Sequence, residues 1–320
     1  MNRRQFLVGA LSLPVALRLG PQAFAGGTPI ALVTADTQAR IAAVEVSTGL
    51  IVRSIHTLPG PRSVESSLGT LAVVAHTEYG AVSLIDGPTL KVSHVLRDFQ
   101  EPRYTAAHPD GRHAFVTDSK SGHVVSLDLA RGRSLGRASL GGPARHISIS
   151  PTGRTLWVSL GSKAERIAIV AVDRPARPRL LRTIRPPFLA HDVGFAPGGR
   201  HVWVSSGDRG ALVVYDARSG RELRRLPGDA PPQHVTFLNG SAFVTSGDDG
   251  TLRVHSLVDG DILRTTRVPV GSYNVQQGWG VILTPSLERG TLCVADGRGR
   301  LLRRVQVAPS SHDACFVMSA

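Results

Sequence analysis

Three stretches of this chain carry one pattern. They read His108-Pro-Asp-Gly-Arg-His-Ala-Phe-Val-Thr117, Ser150-Pro-Thr-Gly-Arg-Thr-Leu-Trp-Val-Ser159 and Ala196-Pro-Gly-Gly-Arg-His-Val-Trp-Val-Ser205. Each is a Pro/Gly turn, an arginine and a short strand with an aromatic at its centre. Such a unit cannot bury both apolar faces alone, so neighbouring copies must stack to form a core.

The period selects the architecture. Units opened at Arg62, Arg103, Arg145, Ala190, Gln233, Tyr273 and Ser311 are separated by 41, 42, 45, 43, 40 and 38 residues. No apolar stripe recurs at 3.6 residues, and Gly or Pro interrupts nearly every ten-residue window, which excludes stacked helical repeats. The unit from Arg145 supplies four strands: a (146–150), b (155–160), c (166–172) and d (180–184). The same plan recurs at 234–238, 241–246, 250–256 and 261–268. Turns such as Ser206-Gly-Asp-Arg-Gly210 and Ser246-Gly-Asp-Asp-Gly250 join b to c. This predicts an all-β fold, a seven-bladed β-propeller of four-stranded antiparallel blades.

The two ends complete each other. The segments 30–34, 40–46 and 51–56 supply strands b, c and d with no strand a before them, and 312–318 is a lone strand a. Pairing these ends closes the ring and removes the open edges on which sheets aggregate.

Residues 1–25 are read as a cleavable twin-arginine signal peptide. Arg3-Arg4 precedes an apolar stretch interrupted by Arg18, and Ala23-Phe24-Ala25 fits a signal-peptidase site. The expected product is a periplasmic or extracellular protein formed by one domain over 26–320, with no transmembrane segment. Removing Arg3, Arg4 and Arg18 lowers the formal charge from +13 to +10. The remaining basic residues are nearly all arginines scattered over turns, without interleaved aromatics, so no specific nucleic-acid binding is expected. Cys293 and Cys315 lie in apolar strand-like runs and are expected to be two buried thiols.

The triplets Phe115-Val116-Thr117, Trp157-Val158-Ser159, Trp203-Val204-Ser205 and Phe243-Val244-Thr245 resemble the YVTN-type repeat of exported bacterial seven-bladed propellers. The resemblance spans the chain after its leader. It extends to the propellers of quinoprotein amine dehydrogenase β-chain-like and cytochrome-type nitrite reductase proteins. It implies the fold and leaves the function open among binding proteins, haem-handling proteins and lactonases. Blades two and seven depart from it, since 71–74 and 279–282 lack the Pro-x-Gly-Arg lead-in.

In such a propeller the d-to-a and b-to-c connections open on one face, around the mouth of the central channel. Tyr104, His146, Asp192, His234 and Asn274 open strand a in their blades, with Ser63 in the second. His191 stands one place earlier and His312 nearby in the closing strand. These are the candidate ligand-binding residues. His146, His191 and His234, with Glu65 inside a strand a, are also candidate catalytic groups. Acids in the b-to-c turns, among them Asp118, Asp208, Asp248 and Asp249, are expected to cap their own turns. Glu65 is expected to pair with Arg62.

No metal site is assigned from spacing, since histidines on different blades can stand too far apart. The leading expectation is a non-catalytic, monomeric binding or scaffold protein whose channel mouth takes a partner protein or small ligand. The alternatives are a lactonase- or lyase-like enzyme with a His/carboxylate site, with or without a divalent metal, and a propeller associated with a haem or quinone cofactor.

Overall fold

The computed structural model describes residues 27–320, so the leader read over 1–25 lies outside the described residues. Its strands form seven four-stranded antiparallel sheets, and the sole helical element among the described residues is a 3-10 turn at Thr77–Tyr79. Blades two to seven each use four consecutive strands. In the first, the order is Ala314–Ser319, Thr28–Ala35, Arg40–Glu45 and Ile51–His56. The last strand therefore closes the ring, in antiparallel register from Thr28↔Ser319 to Val33↔Ala314.

Position in the blade sets each strand's composition. Strands b and c are covered on both faces by adjacent blades and read as continuous apolar runs, as in the fully buried Ile167–Ala171. Strand d forms the rim and is exposed, as in Arg179–Ile184. Seven apolar clusters follow, one at each junction between consecutive blades. Phe115, Trp157, Trp203 and Phe243 are fully buried in these junctions. Trp157, for example, packs on Phe195 and Tyr215 of the next blade, with ring centroids 6.4 and 5.7 Å away.

Blade seven departs from the Pro-x-Gly-Arg pattern because a tighter turn replaces it. Trp279-Gly280 joins strand a to strand b with φ of 47° and 81°, and Asn239-Gly240 does the same in blade six with 49° and 77°. Positive φ at both central residues is the two-residue hairpin turn that glycine favours.

The closing strand is fastened beyond its ladder. Thr34 Oγ1 accepts from the backbone N–H of His312 and of Asp313, each at 3.0 Å. Asp313 Oδ2 accepts from Val64 N at 2.9 Å, tying the first blade to the second. Cys315 and Cys293 are buried free thiols.

Below the mouth the third residues of strand a line a cavity of about 200 Å³, among them Glu65, Ser148, Gly194, Thr236 and Gln276. Glu65 does not pair with Arg62 as its sequence position suggested. Arg62 reaches Asp36 instead, at 3.4 Å. Glu65 points into the channel wall, where Gln276 Nε2 donates to Oε2 at 3.1 Å. Burial and the nearby Asp313 push its pKa up to about 8 against that hydrogen bond, and burial pushes Asp313 up to about 6.

Two predictions follow from this framework. Deleting residues 314–320 uncovers the first strand and removes the buried Ala314, Cys315, Phe316 and Val317. Lost apolar burial of about 5 kcal/mol is comparable with a whole domain's stability. The truncated chain should therefore aggregate on size-exclusion chromatography and lose its cooperative melt, whereas a monomer with native Tm would refute the closure.

The second prediction concerns Glu65. Its folded pKa is raised, so its contribution is fully present below pH 4.5 and is lost as pH climbs to about 8. Glu65→Gln should melt with wild type near pH 4 and be more stable above pH 8. The gain should be on the order of 1–2 kcal/mol after allowance for channel water, and Tm that tracks wild type at both pH values would contradict it.

Candidate functional site

Strand a enters the channel at the mouth, and its entry is held by the preceding blade. In three of the four Val-Thr/Ser steps the closing hydroxyl reaches the backbone of the next blade: Thr117 Oγ1 donates to Arg145 O at 2.7 Å and Ser205 Oγ to Gln233 O at 2.5 Å. Thr245 Oγ1 donates to Tyr273 O in the same way. These carbonyls belong to the residues just before His146, His234 and Asn274, so the repeat fixes the backbone from which the mouth residues project.

Two consecutive residues of each blade therefore face the mouth. The outer position holds Arg62, Arg103, Arg145, His191, Gln233, Tyr273 and His312. The inner one holds Ser63, Tyr104, His146, Asp192, His234, Asn274 and Asp313. The spacing in sequence placed Ala190 and Ser311 in the outer register; the structure puts His191 and His312 there. Asp313 thereby becomes an inner-ring residue that the sequence did not single out. The b-to-c turns share this face, as Tyr273 OH donating to Asp248 Oδ1 at 3.0 Å shows.

Blades four, five and six bring three imidazoles together. One ring nitrogen from each of His146, His191 and His234 lies within 4.8 Å of the other two. Ring centroids are 4.3 Å apart for His146–His191, 4.8 Å for His146–His234 and 5.4 Å for His191–His234. The separation that argued against a metal site is thus absent for these three. Tyr104 closes the other side, 4.2 Å from His146 and 5.7 Å from His234 between centroids.

Hydrogen-bond partners assign the tautomers. His191 Nδ1–H donates to Ser162 O at 3.0 Å. His234 Nδ1 faces Asp192 Oδ2 at 3.3 Å. His146 Nδ1 faces Ser159 Oγ at 3.4 Å, and that hydroxyl sends its own proton toward Gly161 O at 3.3 Å. Each Nδ1 is therefore occupied and each Nε2 carries the lone pair. His146 Nε2 is buried with no hydrogen-bond partner. Burial first, then the neighbouring imidazoles, keeps His146 well below its ordinary pKa, and burial with His234 lowers His191 to about 4. His146 and His191 are thereby held toward the neutral form. Burial also raises the Tyr104 phenol to about 12.

His312 and Asn274 stand outside this trio. His312 Nδ1–H donates to Arg62 O at 2.8 Å, Asn274 Nδ2 donates to His312 O at 2.9 Å, and the His312 ring lies 6.4 Å from Tyr104. Both brace the closing strand against its neighbours. Glu65 lies two residues down its strand from the mouth, so the carboxylate that meets an imidazole is Asp192 rather than Glu65. Asp192 also accepts from Val235 N at 3.1 Å. Of the turn acids, Asp208 caps its own loop by accepting from Ser206 Oγ, whereas Asp118 accepts from Gln100 N and Glu101 N of the loop entering its blade and Asp248 from Tyr273 OH and Gln233 Nε2.

Arginines rim the opposite arc. Arg62 and Arg103 are partly offset by Asp36 and Glu101, at 3.4 and 2.5 Å. Arg145 has a buried Nε with no acceptor, and burial, together with Arg103 and Arg62, lowers its pKa while Tyr104 opposes this. Arg62, Arg103 and Lys120 also line a basin of about 1170 Å³ on the mouth face.

No protein-family model matches the chain, and no curated protein matches it in sequence. Solved structures share its fold. A protein from Lactobacillus plantarum superposes with a TM-score of 0.73 at 11% identity, over 91% of this chain and all (100%) of its own. Kuenenia stuttgartiensis hydrazine synthase gives 0.64 at 15% identity, covering 85% of this chain and 99% of the other. The dihydro-heme d1 dehydrogenase NirN, solved in complex with DHE, gives 0.64 at 17% identity over 88% of this chain. The chain spans 64% of that NirN chain. At these identities the likeness establishes the seven-bladed propeller.

Proposed function

We propose that this chain is an exported, non-catalytic binding propeller whose channel mouth takes a small anionic ligand, a carboxylate above all. The observation that carries this reading is the buried, unpartnered Nε of Arg145. It sits beside Arg62 and Arg103, the nearby cations that help depress its pKa. A buried donor without an acceptor costs free energy, and a carboxylate matches the fork of a guanidinium. The mouth is concave and polar, which suits a small molecule better than a broad protein contact. Export rests on the twin-arginine leader, and no helix among the described residues is long and apolar enough to cross a membrane.

One observation favours a second reading. Asp192 orients His234 at 3.3 Å, the arrangement in which a carboxylate steadies a general base. The lactonase- or lyase-like alternative would use His234 in that role, with no part for Glu65. Tetrapyrrole binding, suggested by the name of NirN, is the third possibility and has a visible readout.

Calorimetry and thermal melts on metal-free protein decide among them. Malonate, succinate and inorganic phosphate are the probes, each at low and high salt. A dicarboxylate at roughly a hundred times its Kd should stabilise the fold by about 2.7 kcal/mol, raising Tm by several degrees. Arg145→Gln should weaken that binding about tenfold or more, and salt should weaken it too. No shift, or one unchanged by Arg145→Gln, would refute the anion reading. Lactone turnover abolished by His234→Ala would install the enzyme, and a Soret shift on adding haemin would install the tetrapyrrole.

A further inference from the structure

We infer that His146, His191 and His234 form a binding site for one divalent transition-metal ion of the zinc, cobalt, nickel or copper class. The inference stands on geometry and tautomers, independently of the anion reading.

Metal–imidazole bonds are about 2.0–2.1 Å long, so two nitrogens on one ion lie no more than about 4.2 Å apart. The three donors stand within 4.8 Å of one another, and a side-chain closure of less than about 1 Å brings them onto a single ion. Such a movement is modest for His191, the most exposed of the three.

Every ligand already has the outer partner a metal-bound histidine needs. Nδ1 is engaged by Ser159 Oγ in His146, by Ser162 O in His191 and by Asp192 Oδ2 in His234. Partners of this kind fix the tautomer and raise the basicity of Nε2. The unpartnered Nε2 of His146 is the second, independent sign. His146 is 1% exposed, and a buried ring nitrogen without a hydrogen-bond partner is costly until a donor or a cation meets it.

Donor chemistry selects the metal class. Three imidazoles and no carboxylate oxygen suit zinc, cobalt, nickel and copper rather than calcium or magnesium. Asp192 is engaged by His234 and Val235 N. Three protein donors leave a further coordination position, as in sites that take water or a ligand oxygen.

A second trio, His108, Asp110 and His113, supplies the control. There Asp110 accepts from Arg112 N, His113 N and His113 Nδ1, while His108 Nε2 meets Gly153 O at 3.0 Å. Apart from His113 Nε2, its ligating atoms are already engaged by the turn and by Gly153 O of the next blade.

The test uses untagged, EDTA-treated full chain in a buffer without coordinating groups or organic acids. Zn²⁺ is titrated by calorimetry, and Co²⁺ by its visible ligand-field bands. The expected result is one equivalent bound, a higher Tm with metal, and Co²⁺ bands that report nitrogen coordination. His191→Ala, at a partly exposed position, should weaken Zn²⁺ binding about 100-fold or more and remove the bands. Asp192→Asn keeps an acceptor for Val235 N and should weaken binding about 10-fold. His113→Ala should change neither. His146→Gln serves as an independent ligand variant, with its fold checked by circular dichroism. Substoichiometric binding by wild type overturns the site, as does full affinity in both His191→Ala and His146→Gln, or a loss that follows His113→Ala. Because organic anions are absent here and metals were absent from the anion titration, either proposal can fall while the other stands.

Discussion

The ladder between the last strand and the first holds the channel to a single radius. Six of the seven blades are continuous in sequence and would form an open arc by themselves. Antiparallel pairing from Thr28↔Ser319 to Val33↔Ala314 converts that arc into a ring. Only in a ring do strand-a entries about 40 residues apart in sequence converge on one axis. The clasp also reaches the mouth, because Thr34 Oγ1 receives the N–H groups of His312 and Asp313. Loosening the clasp would shift the outer and inner rings together, and the imidazole trio depends on distances of a few ångströms.

Much of the fold was legible because each of its cues is local. Pro/Gly turns, short apolar strands and the centred aromatics at Phe115, Trp157 and Trp203 announce a blade wherever they occur. The unmatched strand at each end announces closure. The site was less legible for a stated reason: register shifts at the entries of strand a. They occur between Pro61 and Ser63, Pro102 and Thr105, and Ala190 and Val193. In a regular strand, consecutive side chains point to opposite faces. At these irregular entries two consecutive residues both face the mouth. His191 can therefore meet His146 and His234 although it precedes the inner position by one residue. Asp313 escaped notice because His312 beside it drew the alignment. Glu65 shows the other kind of failure. Its neighbour in sequence was Arg62, but the neighbour that matters is Gln276, 211 positions away across the closed ring.

The electrostatics of the mouth divide by arc. Blades two to four supply guanidiniums, and blades four to six supply imidazoles. Tyr104 and Arg145 lie where the arcs meet, linked by the Tyr104 contact that opposes the fall in the Arg145 pKa. A cation among the imidazoles and an anion against the guanidiniums would each lower the cost of the other by direct Coulomb attraction across a partly buried site. Glu65, on the channel wall below, has a raised pKa and is driven toward its neutral form. Well below pH 8 it does not compete as a counter-ion for either arc.

Repetition alone does not account for the histidines. A copied structural element would recur at one register position, as the strand-b hydroxyl does in Thr117, Ser159, Ser205 and Thr245. The inner ring instead reads Ser63, Tyr104, His146, Asp192, His234, Asn274 and Asp313, with histidine at only two places. The third imidazole comes from the outer ring, in the single blade between those two. Where the inner residue of that blade departs from histidine, it is the carboxylate that orients His234. Three donors and one orienting acid thus come from non-equivalent positions of three consecutive blades. A shared repeat template gives no reason for that choice, and convergence on one point does.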